Sequence, residues 1–445
     1  MGRYAAYPKY KESRIDWLDV IPSHWKTSKL RYLFTFGKGL TITKENLVEE
    51  GVPVINYGEV HSKYGFEVNP TVHELKCVPF EYRDHSQFAF LSKGDVVFAD
   101  TSEDLEGSGN FSQASTDEEL CAGYHTIIAR PYCRQAWRYY AYLLDSLEIR
   151  TQVQHAVKGV KVFSVTQAIL RGISTWLPPI DEREQIANFL DHETAKIDAL
   201  IEKQQRLIEL LKEKRQAIIS HAVTKGLDPN APMKDSGVEW LGQVPAHWEV
   251  VQLRRISSLA QGLQIPQSMR RTELADDCVE YITVKSINSP SNEKEYIYKP
   301  SARVCCKPED ILLARTGATG QVVTGVQGAF HNNFFKVEYS DQVEYEFLLS
   351  LLGVKELTDH LLMLAGTTTI PDLNHGAFLS TKVALPPKPE QLDLVNRLRE
   401  TEVLYSNMLS TSFKQIELLK ERRTALISAA VTGKIDVRDW QPSKH

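Results

Sequence analysis

The sequence predicts an α/β (α+β) chain: two globular mixed α/β domains joined by two long antiparallel coiled-coil helices, related by an internal pseudo-two-fold repeat. Two matches and their order carry the prediction. SRIDWLDVIPSHW at 13–25 returns as SGVEWLGQVPAHW at 236–248 with six of thirteen residues identical. IELLKEKRQAIISHAVT at 208–224 returns as IELLKERRTALISAAVT at 416–432 with thirteen of seventeen identical. Each half runs through the tryptophan signature, a divergent middle, Leu-Pro-Pro and a long charged segment ending in Ala-Val-Thr. The offset is 223 at the first mark (13 to 236) and 208 at the last (208 to 416), so the second middle is 15 residues shorter. Units this long lie outside the periods of about 20–50 residues that stack as solenoids. The boundaries that follow are 1–176 for the first domain, 177–228 for a central helical region, 229–384 for the second domain and 385–445 for a C-terminal helical region.

A chain of 445 residues with 42% hydrophobic and 9% aromatic content can bury several cores, being about three times a typical domain. No apolar run approaches the ~20 residues of a membrane span, and the first residues, MGRYAAYPKYKESRIDW, contain nothing like a signal peptide. A cytoplasmic protein with no membrane contact is expected. Cys77, Cys121, Cys133, Cys278, Cys305 and Cys306 show neither Cys-x-x-Cys spacing nor histidine partners at zinc-finger intervals, so they read as reduced thiols and no metal site is expected. The net charge of −5 makes no global case for nucleic acid, so any such role rests on local placement of charge.

Residues 181–223 contain no Gly or Pro and are rich in Glu, Lys, Gln, Leu and Ile, which predicts one helix of about 43 residues, or about 64 Å. Ile186, Leu190, Ile197, Leu200, Leu207, Leu211 and Ile218 fall on a seam of a/d character, widened by Ile201 and Ile208 and interrupted by Gln204 and Lys214. Leu398, Tyr405, Met408, Leu419 and Leu426 are the equivalents in the second copy, and Ile416 matches Ile208. Pro178-Pro179 and Pro386-Pro387 set the helix entries, while Gly226 and Gly433 end the helices. A helix this long with one apolar stripe needs a partner, and the nearest complementary stripe belongs to its own copy. The other possibility is that each stripe lies against its own globular domain.

The middles read as short strands and helices in matching order. VPVINYGEV (52–60) pairs with VEYITVKSI (279–287), GDVVFADT (94–101) with EDILLART (309–316), and GYHTIIAR (123–130) with AFHNNFFKV (329–337). WRYYAYLLDSL (137–147) and EYEFLLSLLGV (344–354) read as helices. Polar loops rich in Gly, Asn, Ser, Thr and basic residues lie between: 37–44, 158–164, 268–273, 315–321 and 365–374. Glycine lets backbone N–H groups approach phosphates, and Arg, Lys, Asn and Gln can read base edges. No Walker A, metal-ligand set or methyltransferase tetrapeptide appears. The signature itself reads as a proline-fixed turn whose tryptophans seat the chain against the helices, with His24 and His247 packing or hydrogen bonding.

SGVEWLGQVPAHWEV, the stretch from LPPIDEREQIANF to ISHAVTKGLD, and EDILLARTGATG are similar to segments of the specificity subunits of type I restriction-modification systems. The resemblance covers essentially the whole chain. It implies two target recognition domains, each reading one half of a bipartite, asymmetric site in double-stranded DNA, held apart by the helices. It implies a subunit with no catalysis and no cofactor of its own. Its implied partners are two methylation subunits, which use S-adenosylmethionine, and two restriction/translocation subunits, which use ATP and Mg. A DNA-binding or coiled-coil adaptor working without methyltransferase partners is the competing reading.

Under that resemblance Lys158 and Lys161, with Arg270, Arg271 and Arg315, supply phosphate attraction and some base readout. Asn56, Tyr57, Glu59, Lys285, Ser286 and Asn288 follow or lie in the equivalent strands and are the base-reading candidates. Lys38, Lys44, Thr101, Gln264, Thr316, His331 and Asn332 complete the DNA-facing set. Two departures stand out. Asp100 occupies the place of Arg315, and a Glu-Gln pair lies at 184–185 in one copy but at 390–391 in the other, two residues out of register.

Overall fold

The computed structural model describes residues 4–159, 162–289, 294–366 and 371–442. The chain divides into two compact units, residues 1–205 with 414–445 and residues 206–413. Both long helices form, as Ile180–Lys225 and Lys388–Val431. Each unit therefore combines a globular body with the first part of one long helix and the last part of the other.

In the first unit a five-stranded sheet runs Phe34–Lys38, Thr126–Pro131, Val96–Ala99, Phe111–Ala114, Phe66–Val68, antiparallel except for the last pair. Alternation along the strands splits the core in two. Val96, Phe98, Ile127 and Ala129 face the helix Trp137–Asp145 and a helical layer that includes Ile186, Leu190 and Ile427. Val97, Ala99 and Ile128 face the other way, toward Leu120 and toward Ile55 and Ala122 of the smaller sheet, in which Val52–Ile55 is central. The second unit repeats the plan with strands Ser257–Gln261, Phe334–Tyr339, Ile311–Ala314 and Val322–Val323. There Ile311 and Leu313 face Ala222, Leu394 and Leu398, while Leu312 and Ala314 face Ile282 and Phe330. One side of each sheet holds the body on the scaffold. The other supports the variable loops.

The strands at 52–60 and 279–287 are shorter than predicted. They end at Ile55 and Ile282, and the chain then turns through a π-helical segment, Glu59–Lys63, and a short α-helix, Val284–Asn288. Local hydrogen bonds win over β-propensity at both places. Glu59 accepts from the Asn56 N–H at 3.0 Å, and Thr283 and Ser286 form a reciprocal capping box.

The signature is a clamp on the start of each long helix. Glu182 lies in the first turn of its helix, buried, with His24 Nε2 at 2.8 Å and the Trp25 indole N–H donating at 3.1 Å. The Tyr7 hydroxyl donates to the same carboxylate. Glu390 is the counterpart, 2.8 Å from His247 Nε2 and accepting from the Trp248 indole at 3.0 Å. Glu390 thus corresponds to Glu182, 208 positions earlier, rather than to Glu184 of the out-of-register Glu-Gln pair. A carboxylate in the first turn also favours the positive end of the helix dipole. The far ends are fitted to the same modules. Gly433, at φ +75°, would place a Cβ 2.4 Å from Pro22, and Gly226, at φ +78°, would place one 3.4 Å from Trp248.

Within each unit the two helix segments run antiparallel. In the second unit Arg215 meets Glu402 at 3.1 Å, while Gly226, farther along, lies opposite Glu390. In the first unit Arg423 meets Asp198 at 3.0 Å, and Val431 lies beside Trp176, whose indole N–H donates to its carbonyl. The buried line passes through Ile197, Ile208, Leu211, Tyr405 and Ile416, with Ile218, Leu419 and Leu426 half-buried. Leu200, Leu207 and Met408, expected on the seam, are exposed at 47%, 39% and 40%. From Ile197 and Gln204 the inward step is four residues, to Ile201 and Ile208, and the residues three along point to the flank. Both steps share a helix face, and only the partner decides which is covered.

Removing the clamp should cost in proportion to its burial. Glu182→Ala strands the buried Trp25 N–H and is expected to lower unfolding free energy by roughly 2–4 kcal/mol, against roughly 1–2 kcal/mol for the more exposed Glu390→Ala. Urea unfolding decides, and equal or negligible losses would contradict the assignment. Gly433→Ala, facing both a left-handed backbone and Pro22, should cost about 2 kcal/mol or more, and Gly226→Ala about 1 kcal/mol. The reverse order in the same assay would refute the packing at Gly433.

Candidate nucleic-acid interface

Both bodies carry the same frame of backbone hydrogen bonds, which in the first surrounds a cleft. In the first, the strand Phe34–Lys38 ends at Gly39, where any Cβ would meet Gly123 O at 2.1 Å and Thr126 Oγ1 at 2.2 Å. Leu40 N–H donates to Ala122 O at 2.8 Å, Asp100 N–H to His125 O at 3.1 Å, and Val165 N–H to Asp100 O at 2.8 Å. These bonds gather segments 38–42, 123–127 and 164–168 with Asp100 around a cleft of about 610 Å³. Lys38, Thr41, Asp100, His125, Thr166 and Gln167 give it polar walls.

In the second body Gly262 takes the place of Gly39, its hypothetical Cβ 2.4 Å from the carbonyls of Phe330 and His331. Leu263 N–H donates to Phe330 O at 3.0 Å, Arg315 N–H to Asn333 O at 2.7 Å, and Leu373 N–H to Arg315 O at 3.0 Å. Beyond the cleft the caps match too: Thr166 accepts from Ile169 N–H and Asn374 from Ala377 N–H, each opening a short helix. The frame is duplicated and the side chains are not.

Of the predicted residues in the first body, Lys38 lies in the cleft wall, and Thr101 and Lys158 adjoin it through pairing of both with Ser164. Lys38 and Lys158 are exposed. Lys44 is exposed on a separate 3-10 turn, Lys44–Asn46. Asn56 is buried at 1% exposure, its Oδ1 accepting from Tyr124 N–H, and Glu59 holds the Asn56 N–H. Both side chains support the loop beneath the cleft. Tyr57 is half-buried against Tyr124 and His125, with ring centroids 5.8 and 5.7 Å away. Lys161 lies outside the described residues.

In the second body the Asn332 amide donates to Gln264 Oε1 at 3.2 Å, next to His331 in sequence, and Arg315 and Thr316 are half-buried. Arg315 is not free to reach a base in this arrangement. Its guanidinium makes hydrogen bonds of 2.6–2.9 Å to Asp372 and stacks over Phe335. Arg270 is likewise tied, to the Ile265 carbonyl and to Glu295 at 2.9 Å, over the Tyr281 ring. Ser286 is consumed by its capping box, and Asn288 pairs reciprocally with Gln321 at 3.0 Å. Arg271 and Lys285 are exposed.

Sequence reasoning missed His125 and Asp100, which meet at 3.2 Å in the cleft. His125 adopts φ +54°, uncommon for a residue other than glycine. Aligning Tyr-His at 124–125 with Phe-His at 330–331 would mislead, because the matching bonds and registers set His125 against Asn333 and Gly123 against His331. All six cysteines are free thiols, and burial pushes Cys121 up to about 12. Among the described residues no group of His, Cys, Asp and Glu could hold a metal, and no helix is long and apolar enough to cross a membrane.

A candidate type I restriction enzyme MjaX specificity subunit from Methanocaldococcus jannaschii is 24% identical over 449 residues, covering 96% of this chain and 98% of that protein. The type I restriction enzyme MjaVIII specificity subunit of the same organism is 24% identical over 321 residues, covering 67% and 71%. A solved structure described as showing complex assembly and conformational transition of the type I R-M system matches with TM-score 0.62 at 17% identity, over 93% of this chain and 99% of that one. The HsdS subunit from Thermoanaerobacter tengcongensis matches with TM-score 0.51 at 15% identity, over 93% and 98%. These two likenesses establish the shared fold. The model of the type I restriction modification DNA specificity domain matches residues 22–211 and again 245–421. The chain belongs to the type I restriction modification DNA specificity domain family and carries that domain twice.

Proposed function

We propose that this chain is the DNA-specificity subunit of a type I restriction-modification complex, each domain reading one half of a bipartite, asymmetric site in double-stranded DNA. The observation that carries the reading is the duplicated backbone frame, which presents a different set of side chains in each body. Two half-sites of unrelated sequence need that combination: equal geometry against the duplex and unequal chemistry against the bases. Exposed Lys38, Lys158 and Arg271 suit phosphate contacts, and the amide and imidazole groups of the two frames suit base edges.

The subunit is itself non-catalytic in this reading and works in the cytoplasm. It recruits two methylation subunits, which supply S-adenosylmethionine chemistry, and two restriction/translocation subunits, which use ATP and Mg. A net charge of −5 fits a subunit that leaves much of the positive clamp on DNA to its partners. The long helices act as the ruler between half-sites.

Methylation-sensitive sequencing of host DNA tests the reading directly. A two-part motif with a fixed spacer, lost when the chain is deleted, is expected; a contiguous motif would sink it. Inserting four residues, one turn or about 6 Å, in step into both helices should lengthen the spacer by about one to two base pairs at 3.4 Å each. An unchanged spacer in an active complex would remove the ruler. In the assembled complex, Lys38→Ala and Lys158→Ala should each weaken binding to all sequences alike and reduce the salt slope by about one. Loss of preference at a single base pair would instead make that lysine a base reader.

A further inference from the structure

Matching hydrogen bonds pick out one position of the duplicated frame at which the two bodies carry opposite charge. Asp100 donates its N–H to His125 O at 3.1 Å and accepts from Val165 N–H at 2.8 Å, and Arg315 makes the same two bonds with Asn333 O at 2.7 Å and Leu373 N–H at 3.0 Å. The strand registers agree, setting Ala99 opposite Thr126 and Ala314 opposite Phe334. From that shared backbone position the side chains part. Arg315 is engaged within its own body, on Asp372 and over Phe335, and is 18% exposed. Asp100 keeps its carboxylate at the wall of the cleft, 32% exposed.

That carboxylate is held by one oxygen and open at the other. Oδ1 lies 3.2 Å from His125 Nδ1, and among the described residues no group hydrogen-bonds Oδ2. A carboxylate only accepts, so Nδ1–H donates to it whether the imidazole carries one proton or two. The ring is itself held, by a left-handed backbone at φ +54° and by Tyr57 and Tyr124 approaching edge-on at 5.7 and 6.0 Å. With its backbone bonded on both sides and one oxygen fixed, Asp100 offers a preorganised acceptor. An acid in a cleft that faces DNA is otherwise a cost, because it repels the phosphates that Lys38 attracts. What offsets the cost is a donor. In the major groove the bases offer the amines of adenine N6 and cytosine N4, whereas guanine O6 and thymine O4 are acceptors and repel the carboxylate.

We propose that Asp100 is a specificity-determining residue of the first domain, its Oδ2 accepting from the amine of an adenine or cytosine and excluding guanine and thymine at one position of one half-site. His125 is its positioning residue. The proposal rests on the reading of the frames as DNA-facing. The charge at the matching place in the second domain is closed on Asp372, so this discrimination belongs to one half-site alone. Part of the target's asymmetry then comes from a single backbone position that carries an acid in one copy and a base in the other.

The test uses the chain assembled with its methylation partners. Asp100→Asn retains Oδ1 for His125 and puts an NH2 where Oδ2 was, so sequencing of methylated DNA should show one position moving from adenine or cytosine to guanine or thymine, with the spacer unchanged. Asp100→Ala should admit all four bases there. At that position a base lacking the amine (purine for adenine, pyrimidin-2-one for cytosine) should weaken wild-type binding about tenfold and leave Asp100→Ala indifferent. The wild-type measurement is independent of how any variant folds, and full wild-type affinity for the analogue overturns the proposal. His125→Asn, which also tolerates a left-handed backbone, should shrink the analogue effect to about threefold with the class of base unchanged. An undiminished effect removes His125 from its role. Lys38→Ala, measured alongside, separates two failures. If it weakens binding to all sequences while Asp100→Asn alters neither motif nor analogue response, the proposal falls and the DNA-facing reading of the frame stands. If neither variant has any effect, that reading falls too.

Discussion

Two buried or half-buried carboxylates, Glu182 and Glu390, hold the architecture together. Each sits in the first turn of a long helix, where the peptide dipoles favour negative charge, and each is gripped by an imidazole and an indole N–H from the signature of its own unit. The same signatures press Pro22 and Trp25 against Gly433, and Pro245 and Trp248 against Gly226. A His-Trp pair lying upstream of every variable loop of its unit therefore fixes where one helix starts and where the other stops. With those points held, the sheet strands that hang from the scaffold have defined positions, and the loops beyond them can diverge without disturbing it.

The divergence is itself constrained, and some of it is compensated. On the first unit Arg138, the second residue of its helix, reaches Asp191 at 2.8 Å. On the second unit the matching positions hold Glu346 and Arg399, joined at 2.6 Å with both charges exchanged. The docking of body to helix has survived a reversal of sign, because an ion pair depends on complementarity and not on which side is acidic. In the duplicated frames the exchange of Asp100 for Arg315 is not reciprocated. Each charge found a different local partner, His125 in one and Asp372 in the other, and so the two walls became chemically unlike.

Sequence patterns revealed the duplication, both long helices, their terminal glycines and the matching order of strands, since these rest on periodicity and local backbone preference. The helix seam was legible only to within one residue: Leu200 and Leu207 share a face with Ile201 and Ile208, and a single helix does not reveal where its neighbour lies. The strand ends at Ile55 and Ile282 were overrun because capping by Glu59 and Thr283 depends on side-chain geometry that β-propensity ignores. Site candidates chosen for polarity fared unevenly for a related reason. Asn56, Arg270, Ser286 and Arg315 have the right chemistry, but the fold uses it internally, and nothing in a lone sequence tells a committed hydrogen bond from an available one. His125 went unremarked because its significance lies in Asp100 and in a positive φ, both of which are three-dimensional facts.

The wiring of the first unit has a consequence for the order in which the protein can be made. Its core takes in Ile427, Val431, Ile435 and Val437, Asp436 donates its N–H to the Ala5 carbonyl, and Tyr10 bonds Gly433 across 423 positions of sequence. The second unit, by contrast, is one uninterrupted stretch, 206–413. On a ribosome the domain that begins first must wait, its hydrophobic face uncovered, until more than two hundred further residues have emerged, while its younger sibling can close at once. The elder half is the one that depends on the nascent chain being held safe, and the final segment to appear is what completes it.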